Sequence, residues 1–202
     1  WQEFTLGGTE WGWLIFVAAV ALVALGLGVV LMKGVLAAEP GTDEMQEIAG
    51  AIQEGASAYL RRQFRTIGVI VVPLAVIVFL TSTEVLEPDG AVALSFGLSG
   101  AWRTVAFLLG ALFSGAIGFF GMWLAVRGNV RTAAAARRSD FPSALKVAFR
   151  TGGVAGLLTA GLGLFGTVVI IMLFQNTASA ILVGFGFGGS LLALFLRGVG
   201  GI

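Results

Sequence analysis

Residues 11–32 read WGWLIFVAAVALVALGLGVVLM, twenty-two positions without a charge, closed by Lys33. As a helix rising 1.5 Å per residue this stretch covers about 33 Å, enough to cross the roughly 30 Å of a bilayer's hydrocarbon. Four further apolar stretches follow, at residues 67–83, 104–126, 151–174 and 180–196. The second is short, but the segment before it can extend it as helix, and Pro73 inside it removes one backbone donor and is a candidate kink. None shows the ten-residue alternation of a barrel strand. Lipid offers no partner to backbone groups, so helices remain. The expected fold is all-α: a polytopic transmembrane bundle of about five spans, residues 1–202 forming one membrane domain.

Composition agrees with the spans. Hydrophobic residues are 57% of the chain and charged residues 11%, less than half the roughly 25% that a soluble surface uses. Disorder and nucleic-acid binding both need polar, charged sequence and are excluded. A net charge of +1 names no bulk electrostatic partner. There is no Cys and no His, which removes thiolate chemistry, the commonest metal ligand and the commonest general base. Thirty-one Gly without a collagen period suit helices packed closely in lipid. No basic n-region precedes the first span, so it does not read as a cleavable signal peptide, and a start at Trp1 suggests a longer gene product.

Basic residues set the expected orientation. Lys33, Arg61, Arg62 and Arg65 lie in the link at 33–66, and Arg127, Arg131, Arg137, Arg138, Lys146 and Arg150 in the link at 127–150. The opposite side holds Glu3, Glu10, Glu84, Glu87 and Asp89, with Arg103 its one cation. Both basic links are therefore placed in the cytoplasm and the N-terminus outside. The link at 33–66 is not a plain loop. Met45, Ile48, Ile52, Ala56, Tyr59 and Leu60 recur at helical spacing, with Asp43, Glu44, Glu47 and Glu54 early and three arginines late, as the helix dipole favours. This predicts an amphipathic cytoplasmic helix continuous with the second span, begun at Gly41-Thr42.

Small residues repeat every four positions: Gly110, Ser114 and Gly118; Gly152 and Gly156; Gly184 and Gly188. Such ladders let helix backbones approach. The run 184–189, GFGFGG, is no dinucleotide loop because no strand precedes it. The five spans hold no interior Asp, Glu, Lys or Arg, and phosphate hydrolysis with Mg²⁺ needs several converging carboxylates. No catalytic residue and no metal ligand is assigned. Arg197 is the candidate functional cation. It ends the last span and precedes Gly198, Gly200 and Gly201, and it reads either as an interfacial snorkelling side chain or as a charge facing a polar cavity, paired with carboxylates from helices outside these residues.

Residues 41–67 (GTDEMQEIAGAIQEGASAYLRRQFRTI) resemble the first cytoplasmic segment of membrane-bound, ion-translocating inorganic pyrophosphatases. Residues 107–136, 144–166 (ALKVAFRTGGVAGLLTAGLGLFG) and 184–202 (GFGFGGSLLALFLRGVGGI) resemble the same family, in the same order. The resemblance implies a sixteen-helix, homodimeric enzyme that hydrolyses Mg²⁺-bound pyrophosphate at the cytoplasmic face and moves H⁺ or Na⁺ outward. Mg²⁺ is implied for the full-length family, with K⁺ a candidate second cation, and none is held by this segment. Spans one to four then match outer helices and span five the first inner helix, with Arg197 matching the ion-gate arginine. The family's Arg-Val-Gly-Gly-Gly-Ile reads Arg197-Gly198-Val199-Gly200-Gly201-Ile202 here, which turns the Val side chain by about 100° around the helix. Two functions follow as expectations. One is the N-terminal portion of a proton- or sodium-pumping pyrophosphatase of a prokaryotic inner membrane. The other is a truncated, non-catalytic relative serving as a membrane scaffold or accessory subunit. Partners in either case are lipid, the remaining helices of the fold or another membrane complex, and further copies in an oligomer.

Overall fold

The computed structural model describes residues 6–86 and 90–200, the side chains of 198–200 excepted. Glu3, Glu87 and Asp89 of the expected acidic side, and the Val199 shift next to Arg197, fall outside that description. Five helices account for nearly all of it: α1 (Gly8–Leu36), α2 (Asp43–Leu80), α3 (Phe96–Arg137), α4 (Phe141–Phe174) and α5 (Ala178–Gly200). A two-stranded antiparallel hairpin, β1 (Val85–Leu86) with β2 (Val92–Leu94), joins α2 to α3.

The helices outrun the apolar stretches that announce them. At 42 residues α3 is about 63 Å long, twice a hydrocarbon layer. The expected link at 127–150 is therefore mostly helix, reduced to the turn Arg138–Asp140, because Ala133–Ala136 favour helix regardless of their surroundings. The expected link at 33–66 shrinks likewise to residues 37–42, and α2 runs unbroken from Asp43 through Pro73. The Thr42 hydroxyl opens it by accepting from the Met45 amide at 3.4 Å. Gly41 precedes that cap at φ 91, a left-handed turn where a side chain would press on Met45 and Ala134.

Asp140 opens α4. Its carboxylate accepts from the Ser143 amide at 3.1 Å, and Pro142 occupies the first turn. Hydrogen bonding from the Ser143 hydroxyl and amide, with Arg138 close by, holds this carboxyl below its ordinary range. A depressed folded value means the cap's stabilisation is complete above the unfolded value and is lost as pH falls through the folded one. Amide exchange at Ser143 and Ala144, measured relative to the intrinsic rate at each pH, is therefore expected to accelerate in acid. Asp140→Ala should show that fast exchange at neutral pH too; a variant with unchanged exchange would deny the cap any role.

Neighbouring contacts give the helix directions. Along α3, Arg103, Phe107, Gly115 and Gly118 meet Gly184, Gly188, Leu192 and Leu196 in turn, so α3 and α5 run parallel. Gly128 meets Thr151 and Gly121 meets Ala155, so α4 returns antiparallel to α3. Leu31 meets Gly153 and Leu25 meets Gly161, which sets α1 against α4, and Phe79 meets Gly100 while Phe64 meets Gly115, which sets α2 against α3. The chain thus reverses direction four times around a central α3. The reversal between α4 and α5 is at Gln175–Thr177, where Gln175 takes φ 39. Four helical stretches are long and apolar enough to cross a membrane, and the fourth, Phe141–Arg197, contains this reversal.

The core is thin. Small buried clusters sit between helices: Val35 with Leu124, Val147 and Val154; Ile67 with Ala111, Leu192 and Leu196; Ala106 with Ile170 and Ile181. Only 11% of the most apolar window of α1 is buried, and Ile15, Phe16, Val23 and Val30 all lie more than half exposed. Apolar surface on this scale needs lipid or further helices against it.

Candidate functional site

Parallel packing on α3 delivers the end of α5, and with it Arg197, to the end of the bundle where the basic residues gather. Gly184 and Gly188 set the approach: a methyl group on either would land on the carbonyl of Arg103 or Phe107. Further along, Leu192 and Leu196 are buried over Gly115 and Gly118. Gln63 of α2, only 6% exposed, donates its side-chain amide to the Phe195 carbonyl at 3.3 Å. Two helices, α2 and α3, therefore hold the last turns of α5. Arg197 itself is exposed and bonds to none of the described residues. Its guanidinium lies at the negative end of the α5 dipole, which favours a cation there.

Four of the other arginines toward this end are committed to structure. Arg131 donates from Nε to the Ala38 carbonyl at 3.1 Å and from Nη2 to the Leu36 carbonyl at 3.2 Å, which satisfies carbonyls that the end of α1 leaves free. Arg127 lies over the Trp123 ring at 4.2 Å from its centroid and donates to the Trp123 carbonyl. Arg138 forms an ion pair with Glu39, and Arg137 reaches the Thr42 hydroxyl. Arg131, Arg137 and Arg138 together fasten the overhang of α3 to the end of α1 and the α1–α2 turn. Sequence reading missed Gln63 and Arg131; no local pattern marks either, since each acts on a carbonyl about a hundred positions away.

Among the described residues no three His, Cys, Asp or Glu side chains come close enough to hold a metal ion. Glu39 is paired, Asp140 caps a helix, and Asp43, Glu44, Glu47 and Glu54 are exposed along the first half of α2. These residues do not fit a site for Mg²⁺ and pyrophosphate.

The packing glycines divide. Gly110, Gly184 and Gly188 touch backbone across the α3–α5 contact, and Gly118 meets Leu196. Ser114 is half-buried on α3. Gly152 and Gly156 meet nothing within 4 Å, contrary to expectation; α4 makes its close approaches at Gly161 and Gly166 instead, against Leu25 and Phe185. At the opposite end of the bundle, Ser99 Oγ, Arg103 Nε and Thr104 Oγ1 are buried without a partner among the described residues.

The family model for inorganic H⁺ pyrophosphatase matches residues 22–202. A K⁺-insensitive pyrophosphate-energized proton pump of Streptomyces coelicolor is 46% identical over 199 residues, covering 92% of this chain and 24% of the relative. A pump of the same description from Chloroflexus aurantiacus is 46% identical over 197 residues, covering 94% and 25%. The pyrophosphate-energized membrane proton pump 3 of Arabidopsis thaliana is 36% identical over 217 residues, covering 98% and 27%. The chain spans about a quarter of the length of these relatives.

Proposed function

The chain belongs to the inorganic H⁺ pyrophosphatase family, and from that premise we propose that it is the N-terminal helical portion of a membrane pump coupling pyrophosphate hydrolysis to outward ion movement. The observation that carries this reading is 46% identity along almost the whole chain but only 24% of a proton pump's length. The relatives' names favour H⁺ over Na⁺ and a form without a K⁺ requirement. In this reading α1 to α5 cross a prokaryotic inner membrane five times with the N-terminus outside, and every Lys and Arg except Arg103 lies toward the cytoplasm. The first half of α2 lies at the cytoplasmic face as an amphipathic extension. Mg²⁺ and pyrophosphate bind carboxylates that lie outside these residues, in a homodimeric assembly.

Within the pump these residues supply outer support and one gate cation, Arg197, held by α3 and Gln63 and free to pair with a carboxylate on another helix. The unpartnered Ser99, Arg103 and Thr104 support a bundle completed by neighbours at its other end. A second reading, a non-catalytic membrane scaffold, draws support from the lack of a carboxylate cluster among the described residues.

The test compares membranes containing the full native polypeptide with membranes containing residues 1–202 alone. Mg-pyrophosphate should drive phosphate release and vesicle acidification in the first and neither in the second. Turnover by residues 1–202 would overturn the account of their chemistry. A native polypeptide of about 20.9 kDa, rather than about four times that mass as 24% coverage implies, would establish the scaffold.

A further inference from the structure

A groove of about 830 Å³ runs between α2 and α3, lined from Gln53 to Val71 on one side and from Leu108 to Arg127 on the other, with Leu192 of α5 at its floor. Its walls are almost wholly apolar, with Leu112, Phe119 and Phe120 among them. Polar groups gather at one end. Arg61 and Arg127 both line the groove, with Trp123 beneath the Arg127 guanidinium, and no Asp or Glu is among its described lining residues. Arg61 is exposed and bonds to none of the described residues.

From Gln53 to Val71, eighteen steps of 1.5 Å, the groove is about 27 Å long, close to the thickness of a bilayer's hydrocarbon. The two guanidinium groups that line the groove, with no Asp or Glu among the described lining residues, favour a negatively charged headgroup over a neutral one. Trp123 marks the level at which an aromatic ring meets lipid headgroups.

We propose that this groove is a binding site for an anionic phospholipid, its acyl chain along α2 and α3 and its phosphate toward the part that Arg61 and Arg127 line. Basic pockets between membrane helices on the cytoplasmic side recognise anionic headgroups on the same physical grounds. The proposal rests on α2 and α3 crossing a bilayer and is independent of pyrophosphate chemistry. It also assigns a role to Gly68. This residue lines the groove, and a side chain added there meets nothing within 4 Å, so its smallness serves the groove and not helix packing.

The test uses the full native polypeptide, stripped of lipid in detergent and examined by native mass spectrometry after addition of dioleoylphosphatidylglycerol or dioleoylphosphatidylcholine. The wild type should retain one phosphatidylglycerol in clear preference to phosphatidylcholine. Arg61→Gln should weaken phosphatidylglycerol about fivefold, the effect of one cation at a lipid surface, and leave phosphatidylcholine unchanged. Gly68→Phe should abolish retention of both by filling the groove; if it fails to fold, the Arg61→Gln result decides alone. Equal retention of the two lipids by the wild type, or retention unaffected by Arg61→Gln, would overturn the proposal. Displacement of phosphatidylglycerol by millimolar inorganic phosphate would assign the arginines to a soluble anion and overturn it as well. So would an efficient crosslink from Gly68→Cys to a protein segment outside residues 1–202.

Discussion

Gly188→Leu is expected to leave almost no correctly assembled protein, whereas Gly186→Leu, two positions away on the same helix, leaves yield and melting temperature nearly unchanged. The two changes alter helix propensity equally, so the difference isolates packing. At Gly188 an added Cβ falls on the Phe107 carbonyl, and its neighbours along the contact, Gly184 and Gly110, are pressed as closely against the Arg103 and Phe185 carbonyls. At Gly186 nothing lies within 4 Å. Overpacking usually costs about 1–3 kcal/mol because side chains rotate away, but a backbone carbonyl in mid-helix has nowhere to go. The helices must part, and separation exposes Ile181 with Ala106 and Leu192 with Ala111, two of the three buried clusters. Against a total stability of about 5–15 kcal/mol, a loss above about 3 kcal/mol on this contact removes much of the folded population. Assembled protein in membranes, quantified by size-exclusion chromatography after mild extraction, checks this. Equal melting temperatures for the two variants would show that α5 does not depend on α3 for its position.

How much of this was legible in the sequence follows from which residues carry their information locally. Apolar runs as long as residues 11–32 announce a helix without help from any partner, and the Ala-rich stretch and Asp140 cap extend helix beyond the apolar limit by local chemistry that a hydropathy reading ignores. Four-residue spacing of glycines identifies a face but not what it meets. Gly184 and Gly188 face α3, while Gly152 and Gly156 have the same spacing and face open space, because which side of α4 is covered depends on where α1 and α3 settle. The hairpin at Val85–Leu86 and Val92–Leu94 is too short to leave a period. Gln63 and Arg131 were invisible for another reason: each bonds to a backbone carbonyl, a group every residue has, so nothing in the sequence marks the partner.

In the full native polypeptide, Arg197→Ala is expected to cut pyrophosphate-driven vesicle acidification about tenfold or more, the effect of losing one charge-assisted contact worth about 1.5–3 kcal/mol. Phosphate release should fall far less, and assembled protein should not fall at all. The asymmetry comes from the geometry. Arg197 is exposed and bonds to no described residue, while the packing of the α5 end is carried by Leu192, Leu196 and Gln63. Removing the guanidinium therefore takes away a charge without opening a cavity. Gln63→Ala gives the complementary result: it removes a buried hydrogen bond to the α5 backbone and should lower thermal stability while the Arg197 charge is retained. Arg197→Lys separates two forms of the gate. A partner that needs only a point charge is served by lysine, and acidification returns; a bidentate carboxylate is not. If Arg197→Ala instead lowers assembled protein and acidification in parallel, the side chain is a packing element of the membrane surface. The gate would then have to be sought in helices beyond these residues.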